Sequence, residues 1–148
     1  YLKNRRQFKA RLRMTAAEAK REYRESEGDP HVKSKRRRMA RAAARRRLVS
    51  AVKGADVVLV NPTHVAVALR YRKDEGRAPK VVAKGKGAVA QRIRELAREA
   101  GVPIVPSPPL ARTLHKLVRE GAEVPASVFH AVAEVLAYIY GLQAKKAG

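Results

Sequence analysis

The stretch ADVVLVNPTHVAVALRY, residues 55–71, decides the fold, because it reads as two strands with a proline and a histidine between them. Its first part, Ala55–Val60, is a short continuous apolar run, the mark of a strand covered on both faces. In the second part Val65, Val67, Leu69 and Tyr71 fall on one side and Ala66, Ala68 and Arg70 on the other, which is the period of two of a strand. A proline cannot donate to a strand ladder and is confined to edges, strand starts and turns. Asn61-Pro62-Thr63-His64 is therefore a tight turn joining two strands.

Downstream, the polar turn RKDEGRAP (72–79) leads into KVVAK (80–84), a third strand. GAVAQRIRELAREAG (87–101) follows as a helix with Val89, Ile93, Leu96 and Ala100 on one face, ended by Gly101. VPIVP (102–106) reads as a fourth strand. Ser107 is placed to cap a helix that turns Leu110, Leu114, Leu117 and Val118 inward. The last helix follows Pro125, and its stripe of Val128, Val132, Val135, Leu136 and Ile139 is the strongest helical period in the chain, which predicts a core helix. Residues 54–148 are thus expected to form a compact α/β domain, a small mixed four-stranded sheet flanked by helices.

Upstream the composition changes. Residues 1–53 hold 19 Lys/Arg against 5 Asp/Glu, out of a net charge of +21 for all 148 residues. Thr15–Glu18 has the form of a capping box before a short helix over about residues 16–25. Asp29 suits the N-cap and Pro30 the first position of a second helix, HVKSKRRRMARAAARRRLVSA. That helix has only a thin apolar stripe of Val32, Met39, Ala43 and Val49, so residues 1–53 are expected to be an exposed, extended basic helical arm. Such an arm suits phosphate neutralisation on nucleic acid, although it lacks interleaved aromatics to stack on bases. It suits equally a segment next to a membrane, where Lys and Arg are retained on the cytoplasmic side and attract anionic lipid.

Several chemistries are excluded or poorly supported. With no cysteine there is no disulfide, thiolate metal site or cysteine nucleophile. His31, His64, His115 and His130 show no metal-binding spacing, so no metal is expected. The most apolar stretch, ASVFHAVAEVLAYIYGL (126–142), carries His130 and Glu134, which favours a core helix over a membrane span. The first residue is Tyr1 and not Met, which leaves room for a preceding membrane segment in a longer protein. GKGAVA (85–90) fits GxGxxG/A, yet no acidic residue ends the next strand and the Lys-Ser/Thr pair of a P-loop is absent. It reads as a glycine turn opening a helix, and no cofactor is expected. No GxSxG elbow occurs; His115 reads as a boundary histidine and His130 as a core histidine.

The turn itself has two readings. Asn61 and Pro62 are ordinary turn formers, since asparagine caps a turn with its side chain and proline presets φ. Chemically, an asparagine side-chain nitrogen can also attack its own backbone carbonyl, forming a succinimide and expelling the next residue's nitrogen. The usual competitor is deamidation, in which the following backbone nitrogen attacks the side chain. Pro62 has no N–H, so that route is closed at Asn61. Strands that fix both ends of the turn would favour the remaining route, His64 could carry protons to the leaving nitrogen, and Thr63 could hydrogen-bond within the turn.

EGDPHVK, ARRR, ADVVLVNPTHVAVALRY, APKVVAKG, RIRELA, VPIVPSPPLAR and VFHAVAEVLAYIY occur in this order with compatible spacing, and together they resemble the cytoplasmic domains of the FlhB/YscU family of flagellar and injectisome export-switch proteins. LRMTAAEAKREYRESEGDP (12–30) is similar to the flagellar branch, where it links the last membrane helix to the globular domain. The resemblance implies a four-helix membrane part before residue 1 and a location on the cytoplasmic face of the bacterial inner membrane. It implies one self-cleavage between Asn61 and Pro62, supported by Thr63 and His64, with no multiple-turnover enzyme activity and no cofactor. It also implies a switch of export from rod and hook to filament subunits. The partners implied are the export gate protein, the hook-length control protein and the exported flagellar subunits, with no nucleic acid. One departure is KGKG (84–87), where flagellar relatives commonly carry an acidic residue soon after the first glycine.

Overall fold

The two strands joined at Asn61-Pro62 form the middle of a sheet in the computed structural model, which describes residues 15–23, 29–62, 64–72, 74, 76 and 78–147. The elements are helices α1 (residues 15–23) and α2 (Pro30–Lys53), strands β1 (Val57–Asn61), β2 (Val65–Arg70) and β3 (Lys80–Lys86), helix α3 (Gly87–Ala100), strand β4 (Ile104–Pro106), and helices α4 (Pro108–Leu117) and α5 (Ala126–Ala147). The sheet order is β3-β2-β1-β4, with β1 antiparallel to β2 and parallel to β4 and β2 antiparallel to β3, so it is mixed as expected. Central β1 has ladder partners on both sides and bury-able side chains on both faces.

Its alternation sorts the core into two layers. Val57 and Leu59 join Val65, Val67, Leu69 and Val81 against α4 and α5, where Ala111, Leu114, Val132, Leu136 and Ile139 close that layer. Val58 and Val60 join Ala66, Ala68 and Ala83 against Ala90, Ile93, Leu96 and Ala97 of α3. The small side of β2 faces α3, and the alanines let that helix approach closely. Each buried valine or leucine contributes about 1.5–3 kcal/mol of apolar burial.

Gly87 joins β3 directly to α3 at φ +55, a left-handed conformation that disfavours any residue with a Cβ. Gly85, just before it, is packed on Val89, whose Cγ1 a Cβ at 85 would overlap at 2.3 Å. The expected glycine turn is absent: Gly85 and Lys86 end β3, and Gly87 opens α3 with no residue between strand and helix. Gly101 ends α3 in the left-handed conformation, its N–H on the Ala97 and Arg98 carbonyls.

Asp29 caps α2, its Oδ1 accepting the His31 N–H at 3.2 Å and its carbonyl the Lys33 N–H at 3.0 Å. Residues 15–23 are helical, while the end of the expected first helix, at Glu25, lies outside the described residues. Contacts divide the chain into two units, residues 1–44 and 45–148, and α2 runs through both. In the first unit Val32 and Met39 are exposed. In the second, the arm expected to be exposed up to residue 53 instead buries its last turns, with Val52 fully covered and Leu48, Val49 and Ala51 packed around it. The spacing of these four residues is helical, so they make one apolar face once the arginines end at Arg47.

Four other expectations change. Val89 is half exposed and Ala100 exposed, while Ala90 and Ala97 take the inward positions beside Ile93 and Leu96, so the buried face of α3 is rotated from the expected one. Leu117 is exposed while Val118 is buried: α4 stops at Leu117 and Val118 is already extended (φ −112, ψ 122), which redirects its side chain. Ser107 stands at the N-cap of α4, yet its side chain makes no capping bond. Pro108 and Pro109 occupy the first positions there and offer no N–H to cap. His130 is not a core histidine; it lies on the outer face of α5, 3.1 Å from Glu134 with its side chain 91% exposed. No described helix is long and apolar enough to cross a membrane.

Candidate functional site at the β1–β2 turn

Asn61 is the last residue of β1 and pairs with Val65, the first of β2. Between them the His64 N–H donates to the Asn61 carbonyl at 3.0 Å, closing a four-residue turn with Pro62 at its second position. Thr63 lies outside the described residues. Neighbouring elements hold both ends. The Ser107 N–H donates to the Val60 carbonyl at 2.9 Å, and the Gly87 N–H donates to the His64 carbonyl at 3.1 Å. Asn61 is half-buried, whereas Pro62 and His64 are exposed.

An open groove of about 850 Å³ runs beside the turn, lined by Asn61, His64, Val65, Lys86, Gly87, Arg112, His115 and Lys116. Three elements supply it: the turn, the β3–α3 junction and α4. Register explains the set, since Asn61 pairs with Val65 and Val65 with Lys86 across β1, β2 and β3. Val65 packs in the layer under α4, so this row faces that helix. Lys84, two residues before Lys86, confirms the direction by donating from Nζ to the His115 carbonyl at 2.9 Å. The His115 imidazole is held below its ordinary value, chiefly because partial burial disfavours the cation and then because Lys84 and Lys86 repel it.

The sequence brought Asn61, Pro62, Thr63 and His64 forward; the structure joins to Asn61 and His64 the side chains of Lys86, Arg112, His115 and Lys116, of which the sequence reading had named only His115, as a boundary histidine. Lys86 was visible in principle, as the residue that strand pairing sets opposite Val65. Arg112, His115 and Lys116 needed the packing of α4. No group of three metal-ligating side chains occurs among the described residues.

The sequence matches the family described as FlhB HrpN YscU SpaS over residues 1–139. The chain belongs to this family. Among curated members of the FlhB HrpN YscU SpaS family, it is 52% identical to the flagellar biosynthetic protein FlhB of Yersinia enterocolitica over 90% of this chain and 35% of that protein. It is 47% identical to the hypersensitivity response secretion protein HrcU of Ralstonia nicotianae over 86% of this chain and 36% of that protein. The chain therefore spans about a third of the length of these curated relatives. Its fold is similar to the cytoplasmic domain of FlhB from Shewanella putrefaciens, with a TM-score of 0.66 at 44% identity over 70% of this chain and 79% of that one. It is also similar to an asparagine-to-alanine variant of the EscU C-terminal domain, with a TM-score of 0.61 at 33% identity over 62% of this chain and 92% of that one.

In this member of the FlhB HrpN YscU SpaS family, residues on the two sides of the Asn61–Pro62 bond also meet far from the turn. The Asp56 carboxylate accepts the Tyr71 N–H at 2.7 Å and faces the Tyr140 hydroxyl of α5. Burial first, and then the Asp56 charge, holds the Tyr140 phenol above its ordinary value.

Proposed function

We propose that residues 45–148 are the self-cleaving switch domain of a flagellar type III export protein, cut once between Asn61 and Pro62. The observation that supports this best is the turn itself: a scissile carbonyl that already accepts a hydrogen bond, followed by a proline and fixed at both ends by strands.

In the step we infer, Nδ2 of Asn61 bonds to the carbonyl carbon of Asn61. Negative charge gathers on the Asn61 oxygen, where the His64 N–H already donates, so the donor is in place before the charge develops. The bond from that carbon to the Pro62 nitrogen then breaks, and one proton passes from Nδ2 to Pro62. A succinimide remains at residue 61 and a proline amine at residue 62. The His64 ring carries the proton, directly or through water, and Thr63 supports the turn. Deamidation does not compete, because Pro62 has no N–H to attack the side chain.

The pieces stay together after the cut. Residues 57–60 remain between β2 and β4 with their side chains buried, and Val52 stays in the core. The altered surface is the turn, and a changed surface on an unchanged fold is what a switch of export class requires. In the whole protein the domain follows a membrane-embedded part on the cytoplasmic face of the inner membrane, with the basic arm near anionic lipid. It works with the export gate protein, the hook-length control protein and the exported subunits, and needs neither cofactor nor nucleic acid. The test is Asn61→Ala in the full-length protein of flagellated cells. Rod and hook subunits should still be exported and filament subunits should not; normal filament export by the uncut protein refutes the switch.

A further inference from the structure

The groove beside the turn collects positive charge with no acidic residue in its lining. Lys86, Arg112 and Lys116 come from two elements that packing forces together, and His115 lies between the last two on α4. Lys84 is already engaged on the His115 carbonyl, and the Nε of Arg112 on the Pro108 carbonyl at 3.3 Å. Lys86, Lys116 and the outer guanidinium nitrogens of Arg112 have no such engagement, and among the described residues none of the three forms an ion pair. Like charges gathered beside a partly buried imidazole repel one another, and a single anion in their midst would relieve all of them.

We propose that this groove is a carboxylate site whose ligand is the chain end created at residue 61. The proposal rests on the cleavage reading and extends it past the first step. The succinimide at residue 61 takes up one water. Opening at the main-chain carbonyl gives a terminal carboxylate and restores the asparagine amide; opening at the side-chain carbonyl gives a side-chain carboxylate and a terminal amide. Either way one carboxylate forms at residue 61 and one proton is released. Asn61 is half-buried and lines the groove, so the anion forms beside the cations, while Pro62 is exposed and its new amine, released from the same bond, is free to move into solvent. Charge-assisted bonds from Arg112, Lys86 and Lys116 then hold the end of β1 in register after its covalent connection to β2 is gone. The cut would thereby give a cationic groove an anion of its own, a change of surface that a partner can read.

His115 reports on the groove from inside it, facing Lys84 and Lys86 of β3, His64 of the turn, and Arg112 and Lys116 of its own helix. The experiment is an NMR titration of the His115 ring in cut wild-type protein and in uncut Asn61→Ala, with intact mass measured on both samples. A new carboxylate in the same groove should raise the His115 midpoint, by about one pH unit if it settles among the cations beside the ring. In the Arg112→Gln/Lys116→Gln background, which alters only exposed side chains, the difference between cut and uncut chains should shrink to less than half. Equal His115 midpoints in cut and uncut protein overturn the carboxylate site while leaving the cleavage intact. So does a difference that the double substitution leaves unchanged. A wild-type chain that stays whole overturns both.

Discussion

Residues 57–60 and residues 61–64 are adjacent, equal in length and opposite in physical situation. The first four are fully or almost fully buried, in a strand paired on both sides; the second four begin at Asn61, the half-buried strand end paired with Val65, and pass into the turn, where Pro62 and His64 stand in solvent. Stability is concentrated in the first group, and the proposed cleavage falls in the second. A bond can break in the second without unmaking the first, because the strand that ends at the break is held by side chains and ladder bonds that precede it.

The sharpest way to break this contrast is inside the strand. Leu59→Ala removes a wholly buried side chain from the layer under α4 and α5 and should cost about 2–5 kcal/mol in chemical denaturation. Asp56→Ala comes next. It leaves the Tyr71 N–H and the Tyr140 hydroxyl without their shared acceptor, for an expected loss of about 1–3 kcal/mol. In cut protein the same substitution should also speed separation of the pieces, since Asp56 lies before the break and both of its partners after it. Asn61→Ala, in the turn, should abolish cleavage yet shift the stability of the fold by under about 1 kcal/mol. A large loss there would show that the turn, too, holds the fold.

The smallest effect concerns pH. His115 has a folded value below its unfolded one, near 6.5, so the folded chain binds fewer protons than the unfolded chain as the solution is acidified. Its contribution is complete above that unfolded value and drains away as pH falls through the folded value. In uncut Asn61→Ala protein the denaturation midpoints should therefore decline below about pH 6.5, and adding His115→Gln should remove that part of the decline.

The sheet was legible in the sequence because strands sort side chains strictly by alternation: the apolar run of β1 announced burial on two faces, and the alternating sides of β2 announced a strand. The turn was legible because proline permits few alternatives. Helix rotation was harder to read. Val89 and Ala90 differ by one position, and which of them turns inward is decided by how α3 packs on the sheet. His130 sits among apolar residues in the sequence, but α5 is apolar on its outer face as well, with Phe129, Tyr138 and Leu142 exposed, so apolar neighbours did not mean burial. The groove was the least legible part. Lys86, Arg112 and Lys116 are three of many basic residues, and nothing local separates those that meet across the fold from those that point into solvent.

The most direct test of the central claim compares one wild-type sample by mass spectrometry under native and denaturing conditions. The expected result is a single native mass for the whole domain that resolves on denaturation into residues 1–61 and 62–148, while Asn61→Ala gives one chain under both conditions. A wild-type chain that remains whole after denaturation, or pieces that separate without it, would contradict the account.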